Sequence, residues 1–199
     1  MSGVISGPGK PLSELAGQHG PVAILCNGSS LPTARLDEIV VPTFGMNRTW
    51  RFPSTYYLAL ETAWLGADYK GDYFLNATTF DIKKRPANHD RGWRVPLSYD
   101  AGYFETIEDG FFPGSTGYLA FQVARALGFS PIHFLGLDLG GPHFDGSESW
   151  PGMAEHQNRY FRIAAAFLPP DSVFICESPD SRCDVFPHSR FGEITSCLS

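Results

Sequence analysis

Apolar residues along this chain fall into short, uninterrupted runs separated by turns rich in Gly, Pro, Ser and Asn. Residues 21–26, PVAILC, form the first run, and its lack of alternation is the pattern of a strand buried on both faces of a parallel sheet. Runs of the same kind predict strands at 40–45 (VVPTFG), 56–61 (YYLALE), 72–76 (DYFLN), 131–138 (PIHFLGLD) and 173–178 (VFICES). Two segments instead show the helical period. In 115–127 the apolar residues Leu119, Ala120, Val123, Ala124 and Leu127 share one side, and Gly128 supplies the stop. A second helix is predicted over 153–168, and a short one over 31–39. The stretch 178–191 reads as a terminal turn or short helix.

Strands alternating with helices predict an α/β domain with a mainly parallel sheet and helices on both faces. A length of 199 residues suits a single domain. Residues 1–20 are rich in Gly, Pro and Ser without a period, and so predict a flexible N-terminal arm before one domain spanning 21–199. Within that domain, 77–114 is an irregular insertion. Parallel sheets bind ligands beyond the carboxyl ends of their strands. The polar residues at those ends are Asn27 to Ser30, Asn47, Arg48, Glu61, Asn76, Asp138 and Ser178 to Ser181.

Composition narrows the classes further. A hydrophobic fraction of 43% with 18% charged residues excludes a disordered chain. The formal charge of −6 argues against bulk nucleic-acid binding, yet leaves room for one nucleotide in a local pocket. No apolar stretch approaches the roughly 18 residues that a membrane span needs, and the first residues carry no secretory pattern. Cys26, Cys176, Cys183 and Cys197 include no CxxC pair, which predicts free thiols in a reducing, cytoplasmic setting.

Several groups of residues could carry chemistry. Asn27, Gly28, Ser29 and Ser30 form a turn that either caps a short helix or lets a phosphate approach the backbone. Ser115 and Thr116 open the best helix, where hydroxyls and unpaired amides serve equally as a cap or an anion site. Asp138, His143 and Asp145 lie in one Gly-rich loop. They could form a general base with its orienting carboxylate, or a divalent-metal site. His156, with Arg159 and Tyr160 on the same side of the last helix, is a second candidate base. Arg85, His89, Arg91 and Arg94 form the one local basic cluster, suited to a phosphate.

The ordered set Cys26-Asn27-Gly28-Ser29-Ser30, Gly45-Met46-Asn47-Arg48, Ser115-Thr116-Gly117, Leu135-Gly136-Leu137-Asp138 and Ser178-Pro179-Asp180-Ser181 resembles that of bacterial sialyltransferases of the Campylobacter lipooligosaccharide type. It is also similar to the related domain of archaeal 6-hydroxymethylpterin diphosphokinases and of uncharacterised bacterial and phage proteins. The resemblance spans about residues 21–187. It implies a Rossmann-like nucleotide-binding domain and a nucleotide-dependent transferase, a glycosyltransferase using a CMP-sugar. Asn27, Gly28, Ser30 and Asn47 would hold the nucleotide, with Ser115 and Thr116 at its phosphate. His143 or His156 would be the base and Asp138 its orienting partner. Two positions depart from that family: Pro113-Gly114 stands where it has a basic residue, and Gly140 where it has a tyrosine. A CMP-sugar donor would require no metal. With ATP or a nucleoside diphosphate-sugar, Mg2+ would be needed, with Asp138 and Asp145 as its ligands. The alternatives are an ATP-dependent diphosphokinase acting on a pterin-like hydroxymethyl heterocycle, or a non-catalytic nucleotide-binding module. The implied partners are a nucleotide or nucleotide-sugar and a small-molecule or glycan acceptor, and the family also accommodates homo-oligomers.

Overall fold

The computed structural model describes residues 9–60, 69–77, 92–98, 100–176 and 178–192. Nine strands form one sheet: β1 (Lys10–Pro11), β2 (Val22–Leu25), β3 (Thr43–Met46), β4 (Pro53–Ala59), β5 (Lys70–Asn76), β6 (Trp93–Arg94), β7 (Ile132–Leu135), β8 (Val173–Cys176) and β9 (His188–Ser189). Every pairing is parallel, in the order β1-β6-β5-β4-β3-β2-β7-β8-β9. Among the described residues two α-helices accompany it, α1 (Thr116–Leu127) and α2 (Met153–Ala165). This is an α/β, Rossmann-like parallel sheet, as the alternation of runs and periods predicts.

Successive side chains of each strand point to opposite faces, and both sets are apolar. On one face Val22, Ile24, Phe44, Met46, Leu58, Phe134 and Ile175 pack against α1 and α2. Leu119, Val123, Ala124 and Leu127 of α1 and Phe161 and Ala164 of α2 are fully buried there. At about 1.5–3 kcal/mol for each large side chain, this face supplies most of the drive to fold. On the other face Ala23, Leu25, Leu135 and Cys176 meet Leu31, Val41 and Phe191. Cover is therefore unequal among the described residues: both α-helices lie over the first face, and a 3-10 turn at Thr33–Glu38 covers part of the second.

Several boundaries differ from those expected. The 31–39 helix is this 3-10 turn. Strand β3 begins at Thr43, because Pro42 has no N–H to donate to a ladder and Val40 is exposed. Within the expected N-terminal arm, residues 10–15 are docked. Lys10 and Pro11 pair with Trp93 and Arg94, and Leu12 and Leu15 are buried. Leu12 and Leu15 lie three apart in a 3-10 turn, so both reach the core. The irregular insertion contributes β6 and a loop held by Gln122, whose Nε2 donates to Phe112 O (2.9 Å) and whose Oε1 accepts from Phe104 N (3.4 Å). The stretch 178–191 opens with the expected turn, closed by Ser181 N donating to Ser178 O (3.0 Å), and also contains edge strand β9. Glu61, Arg85, His89, Arg91 and Cys197 lie outside the described residues.

Strand β2 is where the sheet's order reverses: the chain runs outward through β3, β4, β5 and β6, then returns to place β7 on the other side of β2. Connections diverging from β2 and β7 leave a crevice beyond their carboxyl ends.

Candidate functional site

A cavity of about 450 Å³ lies in that crevice. Its walls come from four places: Cys26, Asn27 and Gly28 after β2; Met46, Asn47 and Arg48 after β3; Gly114 to Gly117 at the start of α1; and Gly136 to Gly140 with His143 after β7. Trp150, Met153, His156 and Gln157 close the remaining side.

Asn27 continues β2, and its carbonyl accepts from Phe144 N at 2.9 Å. Its side-chain Oδ1 is buried and has no hydrogen-bond partner. Asn47 sits at φ +48°, a left-handed conformation that asparagine adopts more readily than bulkier residues. Its Nδ2 donates to Thr116 Oγ1 (3.2 Å), its carbonyl accepts from the Tyr57 hydroxyl (2.7 Å), and its Oδ1 is buried without a donor. Buried carbonyl oxygens normally find donors, and these two orphans belong to residues that line one cavity. Leu139 (φ +56°) is the other non-glycine residue in this backbone region among those described, and it too lines the cavity. Such strained residues cluster at functional sites.

Ser115 caps α1: its Oγ accepts from Tyr118 N (3.1 Å) and donates to Gln157 Oε1 (3.2 Å). Leu119 N bonds Ser115 O (2.9 Å), so the first-turn amides left without an acceptor among the described residues are those of Thr116 and Gly117. They carry the positive end of the α1 dipole. Ser115 therefore serves as the cap, with the Thr116 and Gly117 amides beside it.

Asp138 does not hold a histidine. Its Oδ2 accepts from Ser30 N (2.9 Å) and Ser29 Oγ (3.2 Å), its Oδ1 accepts from Ser30 Oγ, and Ser178 Oγ lies 2.6 Å from Ser30 Oγ. The carboxylate thus clamps the β2 turn to the β7 turn. The approach is close enough to require glycine at 28, where a Cβ would lie 2.5 Å from both Asp138 Cγ and Gly136 O. The expected pairing of Asp138 with a catalytic base is absent among the described residues, because the turn's own donors occupy both oxygens.

Both candidate histidines line the cavity. His143 is held through its backbone, bridged to Gly28 and donating to Ser147 O (2.6 Å). His156 Nε2 lies 3.3 Å from Gly114 O. A carbonyl only accepts, so this contact is a hydrogen bond when Nε2 carries a proton, the tautomer that leaves the Nδ1 lone pair available. Trp150 and Tyr160 pack edge-on at 5.3 and 5.2 Å and fix the ring plane.

Asp145 bonds Arg48 Nη1 (2.7 Å) and accepts from Ser147 Oγ (2.7 Å) and N (3.2 Å). These donors, Ser147 first and Arg48 after it, lower its pKa to about 2. Both oxygens of Asp138 and of Asp145 accept from protein donors. Among the described residues no group of three His, Cys, Asp or Glu side chains converges as metal ligands.

Arg94, the described member of the basic cluster, is buried in β6 with Nη1 3.5 Å from Asn76 O, and burial lowers its pKa. Cys26 lies on the cavity floor, where desolvation first and the Asp138 charge second push its thiol pKa up, leaving it a poor nucleophile. Sequence reading missed Trp150, Gln157 and Arg182. Arg182 adjoins a strand-end turn that had been singled out, whereas nothing local marks Trp150 or Gln157.

No family model, curated protein or solved structure matches this chain. No described helix is long and apolar enough to cross a membrane.

Proposed function

We propose that the chain is a nucleotide-dependent transferase that moves a glycosyl group from a CMP-sugar to a hydroxyl acceptor, in a cytoplasmic setting. The observation that supports this reading is the pair of orphaned carbonyl oxygens on Asn27 and Asn47, two residues that line the cavity at the N-terminus of α1. A nucleotide brings complementary groups: ribose hydroxyls or an exocyclic amine donate to the two oxygens, and a phosphate meets the Thr116 and Gly117 amides.

His156 Nδ1 takes the proton from the acceptor hydroxyl. The acceptor oxygen bonds to the anomeric carbon, the bond from that carbon to the phosphate oxygen breaks, and CMP leaves with the electron pair. One phosphate leaves, so the reaction needs no divalent ion to offset repulsion within a polyphosphate. The buried free thiols Cys26 and Cys183 support the reducing setting.

The test is thermal unfolding with CMP and with ATP, each in Mg2+ and in EDTA. A ligand at about 100 times its Kd adds about 2.7 kcal/mol of apparent stability. For a chain of this size that is a rise of roughly 5–10 °C. CMP should give it equally with and without metal, Asn47→Ala should lose it, and His156→Gln should keep it while losing transfer. No shift with millimolar CMP refutes the reading, and a shift confined to ATP with Mg2+ replaces it with diphosphate transfer.

A further inference from the structure

A second cavity of about 370 Å³ lies against the first, and the two share Asp138 and Gly140 as lining residues. Ser29, Ser30, Pro179, Asp180 and Arg182 supply the rest of its lining, with Gly141. Arg182 is the cation of this cavity, and its backbone is fixed from both sides. Its N–H donates to Asp138 O (2.9 Å), and its carbonyl accepts from Nδ2 of the buried Asn158 (2.8 Å). The guanidinium, by contrast, has no acceptor among the described residues. Its stem lies flat along Gly140, where a Cβ would come within 3.0 Å of Arg182 Cδ, Nε and Cζ. Arg182 is exposed, but its fixed backbone and the packing of its stem along Gly140 restrict where its planar donor fork can reach.

The charges around it select the ligand. Asp138 and Asp180 face the same cavity as Arg182, so the lining carries one net negative charge and disfavours a carboxylate or phosphate. Adjacent hydroxyl groups suit it instead. Two neighbouring oxygens accept from the guanidinium fork, while their protons go to Asp180 or to Ser29 Oγ. We infer that this second cavity binds a neutral polyhydroxylated molecule, a carbohydrate, through Arg182 and Asp180. Its role as the acceptor subsite rests on the transferase reading above. Gly140, common to both cavities, presents no side chain between the two ligands.

Saturation-transfer NMR on the full chain tests this, with CMP, N-acetylneuraminate and an equimolar set of glucose, galactose, N-acetylglucosamine and lactose as probes. At least one sugar should bind, with affinity about tenfold or more weaker in Arg182→Ala and in Asp180→Asn, while CMP binding stays unchanged. Both side chains are exposed, so the variants keep the fold, and an unaltered melting temperature checks this. Gly140→Ala should weaken the sugar as well, by displacing the guanidinium. CMP binding without any sugar binding overturns the inference and leaves the transferase reading standing. So does equal sugar affinity in Arg182→Ala, or a preference for N-acetylneuraminate over the neutral sugars. Sugar binding without CMP keeps this cavity and refutes the nucleotide reading.

Discussion

Removing the Asp138 carboxylate separates a clamp from a catalytic acid. In Asp138→Ala three donors lose their acceptor: Ser30 N at 2.9 Å, Ser30 Oγ, and Ser29 Oγ at 3.2 Å. The Ser29 bond is exposed and water replaces it at little cost, whereas the two Ser30 bonds are partly buried. Hydrogen bonds to an ionised group contribute about 1.5–3 kcal/mol each. Taking the lower value, because the site is only partly buried, gives a loss of about 3 kcal/mol. For a chain of about 200 residues that is a fall of roughly 6–12 °C in melting temperature. Asp138→Asn keeps the shape and one good acceptor, so it should lose about half as much. Urea unfolding followed by far-UV circular dichroism, with slopes compared to confirm a common denatured state, measures both. A clamp predicts that stability falls in the order wild type, Asn, Ala. If Asp138→Ala unfolds within about 0.5 kcal/mol of wild type, the clamp is wrong; if Asp138→Asn also keeps full stability and loses transfer, the carboxylate acts in chemistry instead.

Two further outcomes follow from other contacts. Gln122→Leu keeps the volume but strands the Phe112 carbonyl and the Phe104 amide beside a fully buried side chain, so it should cost about 2–4 kcal/mol in the same unfolding assay; a loss below about 1 kcal/mol would show that the 104–112 loop does not depend on it. Asp145 has a pKa depressed to about 2, below its unfolded value of 3.8, so the stability it contributes is complete above pH 4 and disappears as pH falls through 2. The melting temperatures of wild type and Asp145→Asn should accordingly differ at pH 6 and converge near pH 2, and a gap that persists unchanged at pH 2 would contradict the Arg48 and Ser147 contacts as its source.

What could be read in the sequence follows from what is local. The run VAIL needs no partner to announce a strand buried on both faces, and β2 and β7 lie inside the ranges predicted for them. Helix α1 carries its own signals, the Ser115 cap and the Gly128 stop, and is found within a residue. Strands β1, β6 and β9 are two residues long, too short to show any period, and exist only because a neighbour offers its edge. At the site, Asn27, Gly28, Asn47, Ser115 and Thr116 were legible as strand-end and helix-start residues, and they line one cavity with both candidate histidines. Ser30 lies beyond it, on the wall of the second cavity. The function of Asp138 was not legible, since its partners Ser29 and Ser30 are 109 and 108 residues away in the chain. Shorter but still non-local separations hid Arg182, whose fixed backbone depends on the Asp138 carbonyl and on Asn158 of α2.

The pairing of β2 with β7 has a consequence for the chain as it is made. Leu25 emerges from the ribosome long before its partner Leu135, and until then the β2 side facing away from β3 is an open row of amides and carbonyls on an apolar VAIL segment. During that interval it is the most adhesive part of the nascent polypeptide, and the crevice does not yet exist. Premature termination anywhere before residue 132 therefore yields a product that is aggregation-prone as well as inactive.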